Sequence, residues 1–334
     1  MKKLISKTKS FALTKLYRLL YAIKPRYSAD LMYRHAFHKP QDLKNPKDLI
    51  EKINWMQFNS DTSMWTLCAD KYRMREYVEE KGLEDYLPKL YGHWENPDDI
   101  DFSVLPDEFV LKSNNGCGTV MVVRDKSQIN ESETKALLKT WLKPYGYSGG
   151  QSHYLRIKPC ILAEELLHQN EAEKVFSPKS IVDYKIWCIN GKPESIFVAF
   201  NRQNALQINI ALFDTEWNAL TQYLHSTKQD VYDPKYVVPK PKSLSSMLDL
   251  AAKLAEPFPE VRVDFYEVGE KPVIGELTFT TGYGYFTYDY YVLLGNKMDI
   301  SKLQRGGVKI LVIRVFKPVS LNVEQTASFY RLAA

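Results

Sequence analysis

The sequence predicts an α+β fold built on antiparallel sheets, and three observations predict it. VRVDFY (261–266) and VIGELTF (273–279) each alternate apolar and polar residues with the period of a half-buried strand, and a Gly and a Pro sit in the connection 267–272. Residues 181–189 and 194–200 flank Asn190-Gly191, the strongest short hairpin signal in the chain. FVLKSNNGCGTVMVV (109–123) reads as strand, polar glycine turn, strand, while 133–142 and 246–256 read as helices.

Taken in chain order, the first 29 residues hold Lys2, Lys3, Lys7, Lys9, Lys15, Arg18, Lys24 and Arg26 and no acid. Leu13, Leu16, Tyr17, Leu20 and Ile23 recur at helical spacing, and Lys15 and Arg18 interrupt any signal-peptide core. Such a segment, set off as 1–40, fits two uses. It can lie on an anionic leaflet, where each basic residue contributes ~1 kcal/mol, or pack on the domain with its charges in water. Residues 41–105 read as a mostly helical lead-in, in which Asp70 and Lys71 open or join an amphipathic helix reaching Lys81. Residues 106–165 form a small α+β lobe: Lys112 leaves its strand just before Asn114, Asn115, Gly116, Cys117 and Gly118. PCILAEELL (159–167) is an apolar strand running into Glu164 and Glu165, either an adenine edge contact or a strand end meeting water. Residues 166–300 form a larger antiparallel lobe, where Asp183, Lys185 and Trp187 share one strand face. Tyr283, Tyr285, Tyr288, Tyr290 and Tyr291 read as aromatics alternating along a strand, either core or platforms for a sugar. In the tail, 301–334, the apolar stretch 308–316 reads as an added strand.

Composition narrows the function classes. At 334 residues the chain holds two or three subdomains, and 45% hydrophobic content without a membrane-length apolar run predicts a soluble protein. Cys68, Cys117, Cys160 and Cys188 are isolated, which favours a reducing cytoplasm over secretion. No His/Cys cluster points to zinc and no Gly-x-Ser-x-Gly to a serine hydrolase. A net charge of only +5 without an aromatic RNA-binding signature argues against nucleic acid.

The chemistry concentrates in two places. If the 261–279 hairpin centres near Glu270, paired residue numbers sum to about 540, which sets Asp264 against Glu276 and Arg262 against Thr278 on one face. Opposed carboxylates repel, so a cation belongs between or beside them, and one or two carboxylates with water and phosphate oxygens is how proteins hold Mg²⁺. Asn114 to Gly118 is either an anion cradle of backbone N–H groups beside the Lys112 ammonium or an ordinary hairpin turn. It is not a Walker loop, because no Gly-Lys-Ser/Thr follows.

The order of these elements resembles a known family. A lysine strand with its glycine loop is followed by the Glu-Glu-Leu strand exit, Asp-Tyr-Lys, Arg-Val-Asp and Gly-Glu-Leu-Thr-Phe. In this the chain is similar to ATP-grasp enzymes of the teichuronopeptide-biosynthesis type, over about residues 40 to 300. DLKNPKDLIEKINWMQF, ADKYRMREYVEEKG and TFTTGYGYFTYDYYVLLG agree with that family as well. The resemblance implies two α+β lobes sandwiching ATP behind a helical lead-in. It implies that Lys112 and Lys185 contact nucleotide phosphates under the loop Asn114, Asn115, Gly116, Cys117 and Gly118, with Asp183 beside them. Glu164, Glu165, Leu166 and Leu167 would line the adenine pocket. Asp264 and Glu276 would hold Mg²⁺, joined by Thr278 where many relatives carry Asn, a departure that leaves a second metal ion open. Arg262, with Lys185, would stabilise the transferred phosphoryl group. The implied reaction is ATP-dependent joining of a carboxylate to an amine through an acyl phosphate, in bacterial surface-polysaccharide synthesis. Its partners would be a uronic acid and an amino acid or amine. A sugar kinase and a glycosyltransferase are the alternatives, although the Asp-x-Asp common in the latter is absent.

Overall fold

The computed structural model describes residues 19–146, 150–203, 207–225, 238–282 and 285–303. Two antiparallel sheets organise it. The smaller has the strand order β1-β4-β2-β3, with β1 Leu90–Trp94, β2 Phe109–Ser113, β3 Val120–Val123 and β4 Ile161–Glu164. The larger has the order β7-β6-β5-β8-β9, with β5 Asp183–Ile189, β6 Lys192–Phe200, β7 Asn209–Phe213, β8 Glu260–Val268 and β9 Lys271–Thr278.

Each sheet covers one face with apolar packing. Phe109, Leu111, Val123, Ile161 and Ala163 alternate along the small sheet to meet Leu138 of the helix Glu131–Trp141, whose first turn is capped by Asn130 accepting from the Glu133 N–H. Behind the large sheet runs the helix Leu244–Ala255, burying Met247, Leu250, Ala251 and Leu254. Tyr184, Ile186 and Cys188 of β5 and Val261, Val263 and Phe265 of β8 are its buried counterparts in the large core. Each buried Leu removed from water contributes roughly 2 kcal/mol. Period-two alternation then sends the residues between, Asp183, Lys185, Trp187, Arg262 and Asp264, to the opposite face.

The lead-in is helical as expected at Leu49–Asn59, Ser63–Ala69 and Met74–Glu80, but β1 lies inside it and joins the small sheet as an edge. Lys52 donates to the carbonyls of Gly295 (2.7 Å) and Met298 (2.6 Å), a cation at the C-terminus of the helix Tyr288–Lys297. That helix corrects the strand expected for the tyrosine-rich segment. Tyr290, Tyr291 and Leu294 fall on one buried helical stripe, so Tyr290 and Tyr291 are core rather than sugar platforms. Tyr283, residues 1–18 and the stretch 308–316 lie outside the described residues.

Candidate functional site

The β8–β9 hairpin places Asp264 opposite Glu276 and Arg262 opposite Thr278. It arrives there by an unexpected route. Pairs near the turn, such as Phe265 with Ile274, run one residue short of the expected register, and an irregularity at Gly275 restores it. The alternation expected for 273–279 is therefore broken: Ile274 and Leu277, three apart, are both buried. A Cβ at Gly275 would stand 3.0 Å from the Tyr266 ring and 3.3 Å from the Asp264 carbonyl oxygen, which is why a residue without a side chain sits there.

The cation demanded by the opposed carboxylates is supplied by the chain itself. Arg262 grips Asp264 with two parallel bonds, Nε to Oδ1 at 2.7 Å and Nη2 to Oδ2 at 2.8 Å, and its Nη2 also donates to Thr278 Oγ1 at 3.1 Å. Lys185 Nζ lies 2.5 Å from Asp264 Oδ2 and 3.2 Å from Asp183 Oδ2. Burial pushes the Asp264 carboxyl up, against the pull of Arg262 and Lys185. Burial also works against charge on Lys185, yet Asp183 and Asp264 hold its ammonium above the ordinary value. Glu276 differs, with 27% of its side chain exposed, Lys71 Nζ at 3.1 Å and Arg262 Nη2 at 3.7 Å. Against the cost of burial, Lys71, Lys185 and Arg262 hold its carboxyl well below the ordinary carboxylate range.

Lys71, which sequence reasoning placed only in a helix, is the site residue it missed. It lies in the turn between Ser63–Ala69 and Met74–Glu80. Besides meeting Glu276, its Nζ donates to the Gly116 carbonyl at 2.7 Å, and its backbone N–H donates to the Asn114 carbonyl at 2.9 Å. It thus joins the glycine loop to β9. The only sequence signal was the Asp70-Lys71 pair within ADKYRMREYVEEKG, since a contact 205 positions along the chain leaves no local pattern.

The glycine loop is held from every side. Asn114 Nδ2 donates to Asp70 Oδ1 (2.9 Å) and the Lys158 carbonyl, while its Oδ1 accepts from the Cys160 N–H. Asn115 Nδ2 donates to the Lys143 carbonyl. These two amides are structural; Gly116 is buried with its carbonyl accepting from Lys71, and Cys117 and Gly118 are exposed. Gly116 has φ of 73° and the Tyr145 ring where a Cβ would be, so only glycine fits. Cys117 is exposed, with its Sγ 3.6 Å from the Tyr145 hydroxyl.

On the small sheet, Lys112 is bonded to the buried Glu164, and Arg75 Nη1 stands 3.6 Å from the other Glu164 oxygen. Lys112 pairs with Val120 and Val110 with Val122, so all four share the face turned away from the helix Glu131–Trp141. Val120 and Val122 are 55% and 45% exposed, an apolar surface beside a lysine. Of the strand exit, Leu166 is buried and Glu165 is exposed, with Glu165 Oε2 accepting from the Lys89 N–H.

Among the described residues no three His, Cys, Asp or Glu side chains converge as a metal cage. The donors present are hard oxygens: Glu276, partly open, and Asp264, whose oxygens are engaged by Arg262 and Lys185. Two carboxylates of this kind suit Mg²⁺, which keeps several waters and takes the rest of its shell from phosphates. Thr278 Oγ1, 3.5 Å from Glu276 Oε1 and accepting from Arg262, is placed to orient these groups.

A family model described as TupA-like ATPgrasp matches residues 51–299. No curated protein matches the chain. Among solved structures, D-alanine–D-alanine ligase from Bacillus anthracis, complexed with ATP, is 13% identical, with a TM-score of 0.39 over 66% of this chain and 58% of the ligase. An L-amino acid ligase from Bacillus licheniformis is 14% identical, with a TM-score of 0.38 over 66% of this chain and 42% of the other. For D-alanine–D-alanine ligase from Helicobacter pylori the values are 12% and 0.39, over 76% and 69%.

Proposed function

The chain belongs to the TupA-like ATP-grasp family, and from that premise we propose that it is an ATP-dependent ligase joining a carboxylate to an amine. The observation that carries this reading is the Arg262–Asp264–Lys185–Glu276 array, tied through Lys71 to the glycine loop. The site holds many cations and carboxylates, which suits phosphoryl transfer by positioning and charge compensation.

Lys71, Lys112 and Lys185 neutralise nucleotide phosphates, and backbone N–H groups of 116–118 close over them. The base lies against Val120 and Val122 near Glu164 to Leu167. Glu276 and Asp264 would hold Mg²⁺, which when bound would supply charge compensation for the nucleotide phosphates. Arg262 bonds the oxygens of the transferred phosphoryl group. An oxygen of the substrate carboxylate attacks the γ-phosphorus and ADP leaves. The amine nitrogen then attacks the acyl carbon, loses a proton, and phosphate departs.

We assign the carboxylate to a uronic acid and the amine to an amino acid or amine, in surface-polysaccharide synthesis, on the strength of the family resemblance. We place the enzyme in the cytoplasm, at the inner face of the membrane. The test is ADP release measured with carboxylate and amine supplied separately and together, with product mass for candidate uronic acids. A ligase needs both. ADP formation with a sugar hydroxyl alone, and a phosphosugar as product, overturns the reading.

A further inference from the structure

The chain leaves the small sheet at Glu164 and enters the large one at Asp183, and the connection between them, 165–182, is fastened to both. Beside the small sheet, Glu165 Oε2 accepts from the Lys89 N–H at 3.2 Å, and His168 Nε2 lies 2.7 Å from Glu108 Oε1. On the large sheet, Asn170 Oδ1 accepts from the Gly269 N–H at 2.8 Å and its Nδ2 donates to Glu267 Oε2 at 3.3 Å. The short helix Glu171–Phe176 follows and lays Glu173 against β5, where the Tyr184 hydroxyl donates to Glu173 Oε1 at 2.8 Å.

Glu173 is 4% exposed, and its second oxygen, Oε2, is buried with no hydrogen-bond partner among the described residues. A carboxyl in such a seat resists ionisation, because one donor does not replace the water that a charge needs. From β8 it feels the carboxylate of Glu267, itself buried and accepting from the Ser243 N–H (2.7 Å) and hydroxyl (2.6 Å) at the start of the helix Leu244–Ala255. Tyr184 and Glu267 are the titratable groups that act on it from the sheet. Lys174, on its own helix, pairs with Glu171, and Lys242, which acts on Glu267, pairs with Glu270. Burial, opposed by the Tyr184 bond and joined by the like charge of Glu267, pushes the Glu173 carboxyl up to about 7.

We propose that Glu173 is a proton-operated clasp on the connection between the sheets, seated against Tyr184 as the neutral acid and released to water as the carboxylate. Release gives one proton to solvent and slackens the hold of the connection on the large sheet. The released carboxyl ionises at its ordinary value, whereas the seated one keeps its proton to about 7. The seat is therefore fully held below the ordinary carboxylate pKa and progressively lost as pH rises toward 7, above which the opening levels off. Glu164 to Leu167, which the proposed function sets near the base, begin this connection, so the effect of the clasp on nucleotide rests on that reading, while its opening does not.

Amide hydrogen exchange of the full chain, corrected for the intrinsic effect of pH, tests the clasp over residues 168–178. Between pH 5 and 7 wild type is expected to lose roughly tenfold or more of its protection there. Glu173→Gln, which offers Tyr184 an acceptor without a charge, should keep its pH 5 protection throughout, and Glu267→Gln, which removes the like charge, should shrink the loss. His168→Gln removes the other group of the connection that can take up a proton and should leave the loss in place. Melting temperatures at pH 5 should match wild type, which separates the clasp from misfolding. A non-hydrolysable ATP analogue, with its binding followed by calorimetry, should raise protection of the same residues. No loss in wild type, an equal loss in Glu173→Gln, or a loss abolished by His168→Gln overturns the proposal. An analogue that binds without changing protection detaches the clasp from the cleft, whereas one that does not bind overturns the nucleotide reading and leaves the exchange result standing.

Discussion

The two sheets treat the faces turned away from their packing helices in opposite ways. The large sheet fills its face with charge and satisfies it internally: Asp264 is almost wholly buried yet bonded by Arg262 and Lys185. The small sheet concentrates its charge on Glu164, paired with Lys112 and Arg75, and leaves Val120 and Val122 open to solvent. A buried charge network is rigid because each member is costly to leave unpaired, whereas an exposed valine constrains nothing until a ligand covers it. The difference supports the proposed division, with charge compensation on the large sheet and an apolar face for the base on the small one.

Breaking the large-sheet network should have the largest effect. Asp264→Asn strands two buried cations and is expected to cost about 3–5 kcal/mol in urea unfolding, with loss of ATP turnover. Glu276→Gln, at the exposed end of the same array, should keep the fold and lower turnover ~100-fold. Full turnover in Glu276→Gln would remove the site from this hairpin.

The second effect is set by pH and again belongs to the large sheet. Glu260, on the face of Arg262 and Asp264, is buried, bonded only to Trp187 Nε1 at 3.2 Å, and burial pushes its carboxyl up to about 8. A raised carboxyl pKa keeps the folded state protonated where the unfolded chain has already ionised. The stability it contributes is therefore full below the ordinary carboxylate pKa and lost as pH rises toward 8, at up to about 1.4 kcal/mol per pH unit. Glu173, pushed up to about 7 by burial, acts in the same direction. Denaturation between pH 5 and 8 should show this slope, and Glu260→Gln should flatten it. An identical slope in the variant would mean that Glu260 is ionised in place.

Smaller effects are expected from the small sheet. Lys112→Met should weaken binding of a non-hydrolysable ATP analogue by roughly 1.5–3 kcal/mol in calorimetric titration, with Arg75 still beside Glu164. Lys185→Met should weaken binding comparably but also destabilise the fold, since Asp183 and Asp264 lose their ammonium. Equal stability in the two variants would erase the contrast between the sheets. Smallest of all, Val120→Ser/Val122→Ser should cost about 1–2 kcal/mol of nucleotide affinity and leave the melting temperature unchanged.

What the amino-acid order revealed follows the range of the forces involved. The hairpins at Asn190-Gly191 and at 261–279, and the pairing of Asp264 with Glu276, were legible because turns and alternation are local. The tyrosine segment differs from its expected strand because Tyr283 and Tyr285, and Tyr288 and Tyr290, stand two apart as on a strand, and only Tyr291 with Leu294 marks the helical stripe. Lys71 was missed because its partners, Gly116 and Glu276, come near only when both sheets are in place. Asn114 was read as a ligand contact, yet its amide is consumed by Asp70, Lys158 and Cys160, a result of loop closure that no spacing announces.

The irregularity at Gly275 leaves β9 one place where an odd length change costs nothing in facing. Ile274, buried, pairs with Phe265, and Glu276 pairs with Asp264 on the other face, with Gly275 as the extra residue between them. With Gly275 removed, Glu276 would follow Ile274 directly, and ordinary alternation would keep it opposite Asp264. Among descendants of this sequence, then, a single-residue loss from this part of the strand should survive at Gly275, in a hairpin whose pairs all sum to one number.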